Sequence, residues 1–138
     1  MNGPPYGPLP RPTALSAPHW SGGRDGVLRV QQCDRCDKYV FNPALVCPFC
    51  TSSELTWRTS SGRGQVHTMT TVHRAPTPDV AVPYVVAVIE LEEGWHMLSN
   101  IVGCAPEDVR IDMPVQVDFI DLSPEVSLPV FRPVPCDE

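Results

Sequence analysis

Four cysteines in two closely spaced pairs constrain this chain more than any other feature. Cys33 and Cys36 form one C-x-x-C pair, and ten residues separate it from a second pair, Cys47 and Cys50. Each pair sits on a tight turn that directs two sulfurs into one space, so four thiolates can surround a metal ion tetrahedrally at about 2.3 Å. Because four thiolates leave no coordination position for substrate, the predicted ion is structural. Zinc is the expected metal, with iron held by the same ligands as the alternative.

The other interpretation of these pairs is two disulfides, which require an oxidising compartment. The N-terminal residues have neither the basic region nor the apolar core of an export signal. The sequence also lacks an apolar run of about 18 residues that would cross a bilayer. We therefore expect a cytoplasmic chain, without a membrane span, whose paired cysteines are metal thiolates.

Proline content and turn residues predict how the chain is organised. Seventeen prolines among 138 residues exclude long helices, because proline removes a backbone donor and clashes inside a helix. A short broken helix is predicted around residues 16–20, stopped by Gly22 and Gly23, with Leu15 and Trp20 as anchors on the ribbon or on a partner. The predicted segments are a disordered or draping leader (1–12), a short helical segment (13–26), a zinc ribbon (27–60) and an OB-fold domain (61–135).

The strand pattern predicts a mainly β fold. The ribbon strands are predicted at 27–32, 39–43 and 55–59, and the later strands at 65–73, 84–91, 95–102, 115–121 and 127–131. Residues 92–94 have the composition of a tight hairpin turn. Five short strands in about 70 residues are typical of a small Greek-key barrel of the OB type. The predicted fold is therefore a short N-terminal helix, a zinc ribbon and a C-terminal five-stranded OB-fold barrel.

The strand predicted at 65–73 carries the main candidate for a ligand surface outside the cysteines. Strand alternation places His67, Met69, Thr71 and His73 on one face. Arg63 and Arg74 flank this face, so it is a candidate site for an anion such as a phosphate or the pyrophosphate of a nucleotide. An ordinary solvated strand face is the alternative. The two histidines are not expected to bind a second metal, since no nearby carboxylate or cysteine completes the set.

No catalytic constellation is evident, and no catalytic residue is assigned. Cys104 lies at a strand end, but a nucleophilic cysteine needs a neighbouring base, and the sequence assigns it none. A small buried side chain is the simpler interpretation of Cys104, and Cys136 is expected to be exposed. The sequence contains no Ser/His/Asp set, no phosphate-cradling glycine loop and no paired carboxylates of plausible acid–base geometry.

Several motifs in a fixed order resemble one family. In chain order they are Trp20, the segment 26–36 with the first cysteine pair, Val40-Phe-Asn-Pro, Val46-Cys-Pro-Phe-Cys, Ser61-Gly-Arg-Gly-Gln-Val, Thr71-Val-His-Arg-Ala-Pro, Pro83-Tyr-Val-Val-Ala and Val102-Gly-Cys. Together they resemble the acyl-CoA-associated proteins with a rubredoxin-like zinc ribbon and an OB fold, catalogued as domain of unknown function number 35. The resemblance covers about residues 18–133.

This resemblance implies a function that the residues alone do not give. Members of the family accompany thiolase-like enzymes: acyl-CoA thiolases, acyltransferases, hydroxymethylglutaryl-CoA-forming assemblies and the retro-aldolases of steroid side-chain breakdown. Some are separate subunits, and others are domains fused to a hydratase. The family's member is usually not the catalyst; it packs on the thiolase fold and helps to build the channel for the CoA thioester. Two departures from the family, His67 in place of an aromatic residue and a longer proline-rich leader, leave the metal site intact.

The expected function is accordingly a non-catalytic accessory subunit of a thiolase-like acyl-CoA enzyme. Arg63, His73 and Arg74 are then the candidate contacts to the phosphates of acyl-CoA or CoA. Nucleic-acid binding is the alternative, because zinc ribbons and OB folds also occur there. The net charge of −6, with twelve acidic and two basic residues from Ala75 onward, and the 7% aromatic content oppose it. A third interpretation is an acyl-CoA enzyme that acts without a partner. The absence of an evident catalytic constellation in the sequence argues against it.

Overall fold

The computed structural model of the protein describes residues 9–78 and 80–134. The greater part of the predicted leader and Cys136 lie outside these residues. Within them, a short helix is followed by a three-stranded sheet and a closed five-stranded barrel, which confirms the mainly β fold. The elements are α1 (Ala17–Arg24), β1 (Leu28–Cys33), β2 (Tyr39–Val40), β3 (Leu55–Ser60), β4 (Arg63–Val72), β5 (Tyr84–Leu91), β6 (His96–Ile101), a 3-10 turn (Pro106–Asp108), β7 (Pro114–Asp121) and β8 (Ser127–Pro133).

Helix α1 contains the two glycines that were predicted to end it. Pro18 lies in the first turn, where its missing N–H costs nothing, but the helix continues through Gly22 and Gly23 to Arg24, so the predicted stop is wrong. A Cβ on Gly22 would lie 2.8 Å from the carbonyl oxygen of Val27, and a Cβ on Gly23 would lie 2.9 Å from that of Ser127. The glycines therefore allow the helix to approach the backbone just before β1 and the backbone of β8 closely. None of the described helices is long and apolar enough to cross a membrane.

The ribbon is an antiparallel sheet with the strand order β2-β1-β3. Strands β1 and β3 pair along their whole length, with Leu28 opposite Ser60 at one end and Cys33 opposite Leu55 at the other. Strand β2 is only two residues long and ends at Val40, three residues earlier than predicted. The central strand thus ends at Cys33, the first residue of the first cysteine pair.

The barrel has the strand order β4-β5-β6-β8-β7 and closes between β7 and β4. Neighbouring strands are antiparallel except β6 and β8, which are parallel. Closure brings Gly64 of β4 opposite Val115 of β7, 51 positions later in the chain. Five strands in this order, with one parallel pair, form the Greek-key barrel of an OB fold.

One hydrophobic core serves both the ribbon and the barrel. Leu28 and Val30 of β1 belong to the same buried cluster as Val66, Ile89 and Phe131 of the barrel. A second, much smaller cluster lies around the cysteine pairs and contains three buried residues, Cys33, Val40 and Cys47. The tip of the ribbon, which is the part that contains the two cysteine pairs, therefore has almost no apolar core of its own.

The turn between β5 and β6 connects the barrel to the ribbon. Trp95 is only 5% exposed, and its ring stacks on Tyr39 and Phe41 of the ribbon with centroid distances of 6.3 and 6.0 Å. The indole N–H of Trp95 donates a hydrogen bond to the carboxylate of Glu93 (3.1 Å). The hydroxyl of Ser60, at the end of β3, donates to the same carboxylate (2.8 Å). Stacking and hydrogen bonds thus act together at this junction.

The environment of Glu93 favours its charged form. Partial burial opposes ionisation, but hydrogen bonds from the Ser61 N–H, the Ser60 hydroxyl and the Trp95 indole outweigh burial and lower the pKa of Glu93. The Ser61 N–H donates to the second carboxylate oxygen at 2.7 Å. Glu93 is therefore a charged acceptor that joins β3 to the β5–β6 turn.

Candidate functional site

The four paired cysteines converge as the sequence predicts. Their sulfur atoms all lie within 4.8 Å of one another. The Cys33 and Cys50 sulfurs are 3.5 Å apart, and the Cys36 and Cys47 sulfurs are 3.7 Å apart. Four bonds of 2.3 Å to one tetrahedral ion place sulfurs about 3.8 Å apart. The donor set and its spacing therefore fit one structural zinc ion.

The two cysteine turns repeat the same backbone geometry. In the first, the N–H of Cys33 donates to the carbonyl of Lys38, and the N–H of Asp37 donates to the carbonyl of Cys33, both at 2.9 Å. The second turn repeats these bonds from Cys47, with the Thr51 N–H donating to the Cys47 carbonyl at 2.9 Å. Asp37 and Thr51 occupy equivalent positions with φ of 65°. Equivalent turns from two parts of the chain thus present their thiols to one point.

Backbone N–H groups stabilise the thiolates that a metal needs. The N–H of Cys36 lies 3.5 Å from the Cys33 sulfur, and the N–H of Phe49 lies 3.4 Å from the Cys47 sulfur. The Cys36 N–H is the main cause that lowers the pKa of Cys33 to about 7. Since the thiolate is the metal ligand, the backbone of the first turn favours the metal-binding form of Cys33. Cys33 and Cys47 are buried, as expected of a closed structural site.

The predicted anion face on β4 is altered by a β-bulge. The register shifts between Val66, which pairs with Ile89, and Thr68, which pairs with Val88, so His67 is the extra residue. Beyond the bulge, Met69 packs against the buried core, whereas His67 is exposed. The prediction that His67 and Met69 share one face is therefore wrong, because alternation is broken between them.

The three candidate phosphate contacts do not lie together. Arg63 is the first residue of β4, whereas His73 and Arg74 follow its last residue. At about 3.3 Å per residue, roughly 30 Å of strand separates the two ends. His73 and Arg74 are both exposed. One phosphate group therefore cannot contact Arg63 together with His73 or Arg74.

A largely apolar pocket of about 610 Å³ opens beside the segment that follows Arg74. Its lining residues come from the described residues between β4 and β5, from β5, from β6 and from the loop after β6; they include Thr77, Val86, Leu98, Ile101 and Cys104. In the described part of the chain, the buried hydroxyl oxygen of Thr77 has no hydrogen-bond partner. Local sequence patterns give no sign of this pocket, because its lining comes from separate parts of the chain.

Cys104 lines this pocket without the features of a nucleophile. Burial, followed by the negative charge of Asp108, raises the pKa of the Cys104 thiol. A raised pKa favours the thiol over the reactive thiolate. The side chain therefore contributes apolar surface to the pocket.

The four-thiolate ribbon packed on a closed barrel makes this a zinc-ribbon and OB-fold protein, and comparison with known proteins gives the family. Residues 20–56 match the family model described as the ChsH2 rubredoxin-like zinc ribbon domain, and residues 57–119 match the ChsH2 C-terminal OB-fold domain. The chain belongs to the DUF35 family, to which these ChsH2 domains correspond. The resemblance stated from the sequence is thereby confirmed.

A solved structure and two curated relatives extend this comparison. The structure titled "Ltp2-ChsH2(DUF35) aldolase" superposes with a TM-score of 0.80 and 36% identity, covering 91% of this chain and 98% of that one. The probable enoyl-CoA hydratase alpha subunit of Thermomonospora curvata is 41% identical over 112 residues, which are 80% of this chain and 35% of that protein. The 3-oxo-4,17-pregnadiene-20-carboxyl-CoA hydratase alpha subunit of Mycobacterium tuberculosis is 35% identical over 115 residues, which are 83% of this chain and 36% of that protein. The chain thus spans about a third of the hydratase subunits that it matches.

Proposed function

We propose that the protein is a non-catalytic accessory subunit of a thiolase-like acyl-CoA enzyme and that it stabilises this partner and helps to form the channel for the CoA thioester. The similarity to the DUF35 chain of an aldolase assembly, at 36% identity over 98% of that chain, carries the proposal. The hydratase similarity supports an acyl-CoA substrate but covers only a third of each relative. Steroid side-chain acyl-CoA is one candidate substrate class, in keeping with the name of the mycobacterial relative.

An exposed apolar patch on the second cysteine turn is the proposed contact with the partner. This knuckle patch consists of Leu45, Val46 and Phe49, which are 76%, 47% and 58% exposed. Three large apolar side chains within five residues, beside a metal-fixed turn, are typical of an interaction surface. The zinc ion would hold the patch in one conformation, so little conformational entropy is lost when it binds.

Co-expression with thiolase-like enzymes of the same genome tests this assignment. The unmodified chain is expected to co-purify with one of them as a stable complex. The double change Leu45→Asp and Phe49→Asp should abolish co-purification, because it places two charges in an apolar interface. Ile111→Asp is the matched control, since Ile111 is an equally exposed apolar residue (55%) outside the patch. A zinc-loaded, monomeric chain that binds none of these enzymes would contradict the proposal.

The CoA thioester is proposed to lie along the 73–86 region. His73 and Arg74 supply exposed cationic or hydrogen-bonding groups for a phosphate. Pro76 and Thr77, two and three residues beyond Arg74, line the pocket of about 610 Å³, which has room for an apolar arm of the ligand. This arrangement keeps the phosphates away from the reacting carbonyl, which the partner's catalytic residues would contact.

Substitution of Arg74 in the complex is expected to weaken substrate binding more than it slows chemistry. A charge-assisted contact is worth about 1.5–3 kcal/mol, so Arg74→Ala should raise KM about tenfold to a hundredfold with little change in kcat. Arg63→Ala is the matched control and should leave KM unchanged, because Arg63 lies at the other end of β4. Steady-state kinetics of the complexes measure both constants. An equal increase of KM in the two variants would contradict the proposal that Arg74 contacts a phosphate.

Cys104→Ala separates the accessory-subunit proposal from an enzyme proposal. The chain alone should not turn over acyl-CoA, and this variant should leave kcat of the complex nearly intact, since the raised pKa of Cys104 disfavours its thiolate. Loss of turnover in a variant that keeps its zinc and its partner would identify this chain as catalytic.

A further inference from the structure

A second group of metal-ligating side chains lies on the outer surface of the barrel. His67 of β4, Glu90 of β5 and His96 of β6 bring one imidazole nitrogen, one carboxylate oxygen and another imidazole nitrogen within 4.8 Å of one another. The two imidazole rings meet edge to face with a centroid distance of 4.8 Å. We propose that these three residues form a second metal site, which binds a divalent transition-metal ion such as Zn²⁺ independently of the cysteine site.

The pairing of three neighbouring strands builds this group. Glu90 lies directly opposite His96 on one side and Gln65 on the other. His67 reaches it because the bulge after Val66 adds one residue to β4 and leaves His67 on the outer surface. The side-chain amide of Gln65 donates a hydrogen bond to the carboxylate of Glu90 (3.4 Å). A bulge commonly redirects one side chain in this way.

The donor set suits zinc with an open coordination position. Two imidazoles and one carboxylate are the protein ligands of several zinc sites that keep a fourth position for water, and imidazole also suits copper and nickel. Tetrahedral bonds of about 2.1 Å place ligand atoms about 3.4 Å apart. The ligand atoms lie within 4.8 Å of one another, so metal binding requires them to approach by at most about 1.4 Å. His67 and His96 are exposed and Glu90 is half-buried, so side-chain rotation can supply this movement.

This group differs from the pair of histidines considered in the sequence. There, His67 was compared with His73 on the same strand, and no carboxylate completed the pair. In the structure, the carboxylate comes from Glu90 of β5 and the second imidazole from His96 of β6. The pairing of β5 with β6 fixes the positions of these two residues. His96 also lines a cleft of about 850 Å³ between the ribbon and the barrel. An ion bound here therefore lies at the edge of that cleft, with water completing its coordination.

Calorimetric titration of the full chain with Zn²⁺ tests this site. The starting protein carries its ribbon zinc, one equivalent by metal analysis, after passage over a weak chelator that removes loosely bound ions. We expect one further equivalent to bind to the unmodified chain. His67→Ala, His96→Ala and Glu90→Gln should each weaken this second equivalent by at least about tenfold, with the ribbon zinc retained.

His73→Ala is the matched control, because it removes an exposed histidine outside the group and should leave the second equivalent unchanged. The variants concern surface side chains, and an unchanged melting temperature of the zinc-loaded protein confirms that each is folded. Absence of a second equivalent up to millimolar Zn²⁺ would overturn the proposal. Equal weakening by His73→Ala and His67→Ala would overturn it as well, since the binding would then be non-specific.

Discussion

Replacement of Cys47 by serine is expected to release the zinc ion and to unfold the tip of the ribbon. The tip has only three buried residues around its cysteine pairs, and two of them are the metal ligands Cys33 and Cys47. Metal binding must therefore supply most of its stability, and structural zinc contributes about 10–16 kcal/mol in zinc-finger peptides. Metal analysis should fall from about one equivalent per chain to less than a tenth.

The loss should be confined to the tip and the surfaces that it carries. Leu28 and Val30 of β1 belong to the large core, so hydrogen exchange should become fast around the two cysteine turns while the barrel strands stay protected. The knuckle patch lies on the second turn, and co-purification with the partner should be lost with the metal. Cys104→Ser is the control and should keep a full equivalent of zinc. A Cys47→Ser protein that retains its metal would show that the four thiolates are not the ligand set.

The sequence predicted the features that local chemistry determines. The spacing of Cys33, Cys36, Cys47 and Cys50 was sufficient to predict the metal site, because each turn is completed within a few residues. Strand β5 was predicted with its observed bounds, since its alternating buried side chains are continuous and lie between clear breakers. The other strands differ from their predicted bounds by a few residues.

The features that the sequence did not predict depend on distant parts of the chain. Gly22 and Gly23 are poor helix formers, and only the positions of Val27 and Ser127 show why the helix needs them. The bulge at His67 follows from the register of β4 with β5, which no local pattern indicates. The proximity of His67 to Glu90 and His96 depends on two strand pairings at once. Glu93 was likewise predicted only as part of a turn, although its carboxylate accepts hydrogen bonds from Ser60 and Trp95.

Removal of the Trp95 ring is expected to be the most destabilising change outside the metal site. Trp95 is buried between the barrel and the ribbon residues Tyr39 and Phe41. Trp95→Ala should therefore lower the free energy of unfolding by about 3–5 kcal/mol, as is typical of a buried tryptophan. Phe49→Ala is the matched control, since Phe49 is an exposed aromatic residue of the ribbon, and it should change stability by about 0.5 kcal/mol or less. Urea denaturation of the zinc-loaded proteins at pH 7 measures both values.

Trp95→Phe separates the stacking of the ring from its hydrogen bond. The ring surface on Tyr39 and Phe41 is largely kept, but the N–H that donates to Glu93 is lost, so a smaller cost of about 1–3 kcal/mol is expected at pH 7. Because the pKa of Glu93 is lowered on folding, its contribution is complete above the ordinary glutamate pKa and is lost as the pH falls through the lowered value. In the Trp95→Phe protein the carboxylate of Glu93 has one hydrogen-bond donor fewer. The difference in free energy of unfolding between this variant and the unmodified protein should therefore shrink as the pH falls from 7 to 3. A difference that is constant across this range would mean that Trp95 acts through packing alone and that Glu93 is held by Ser60 and Ser61 without it.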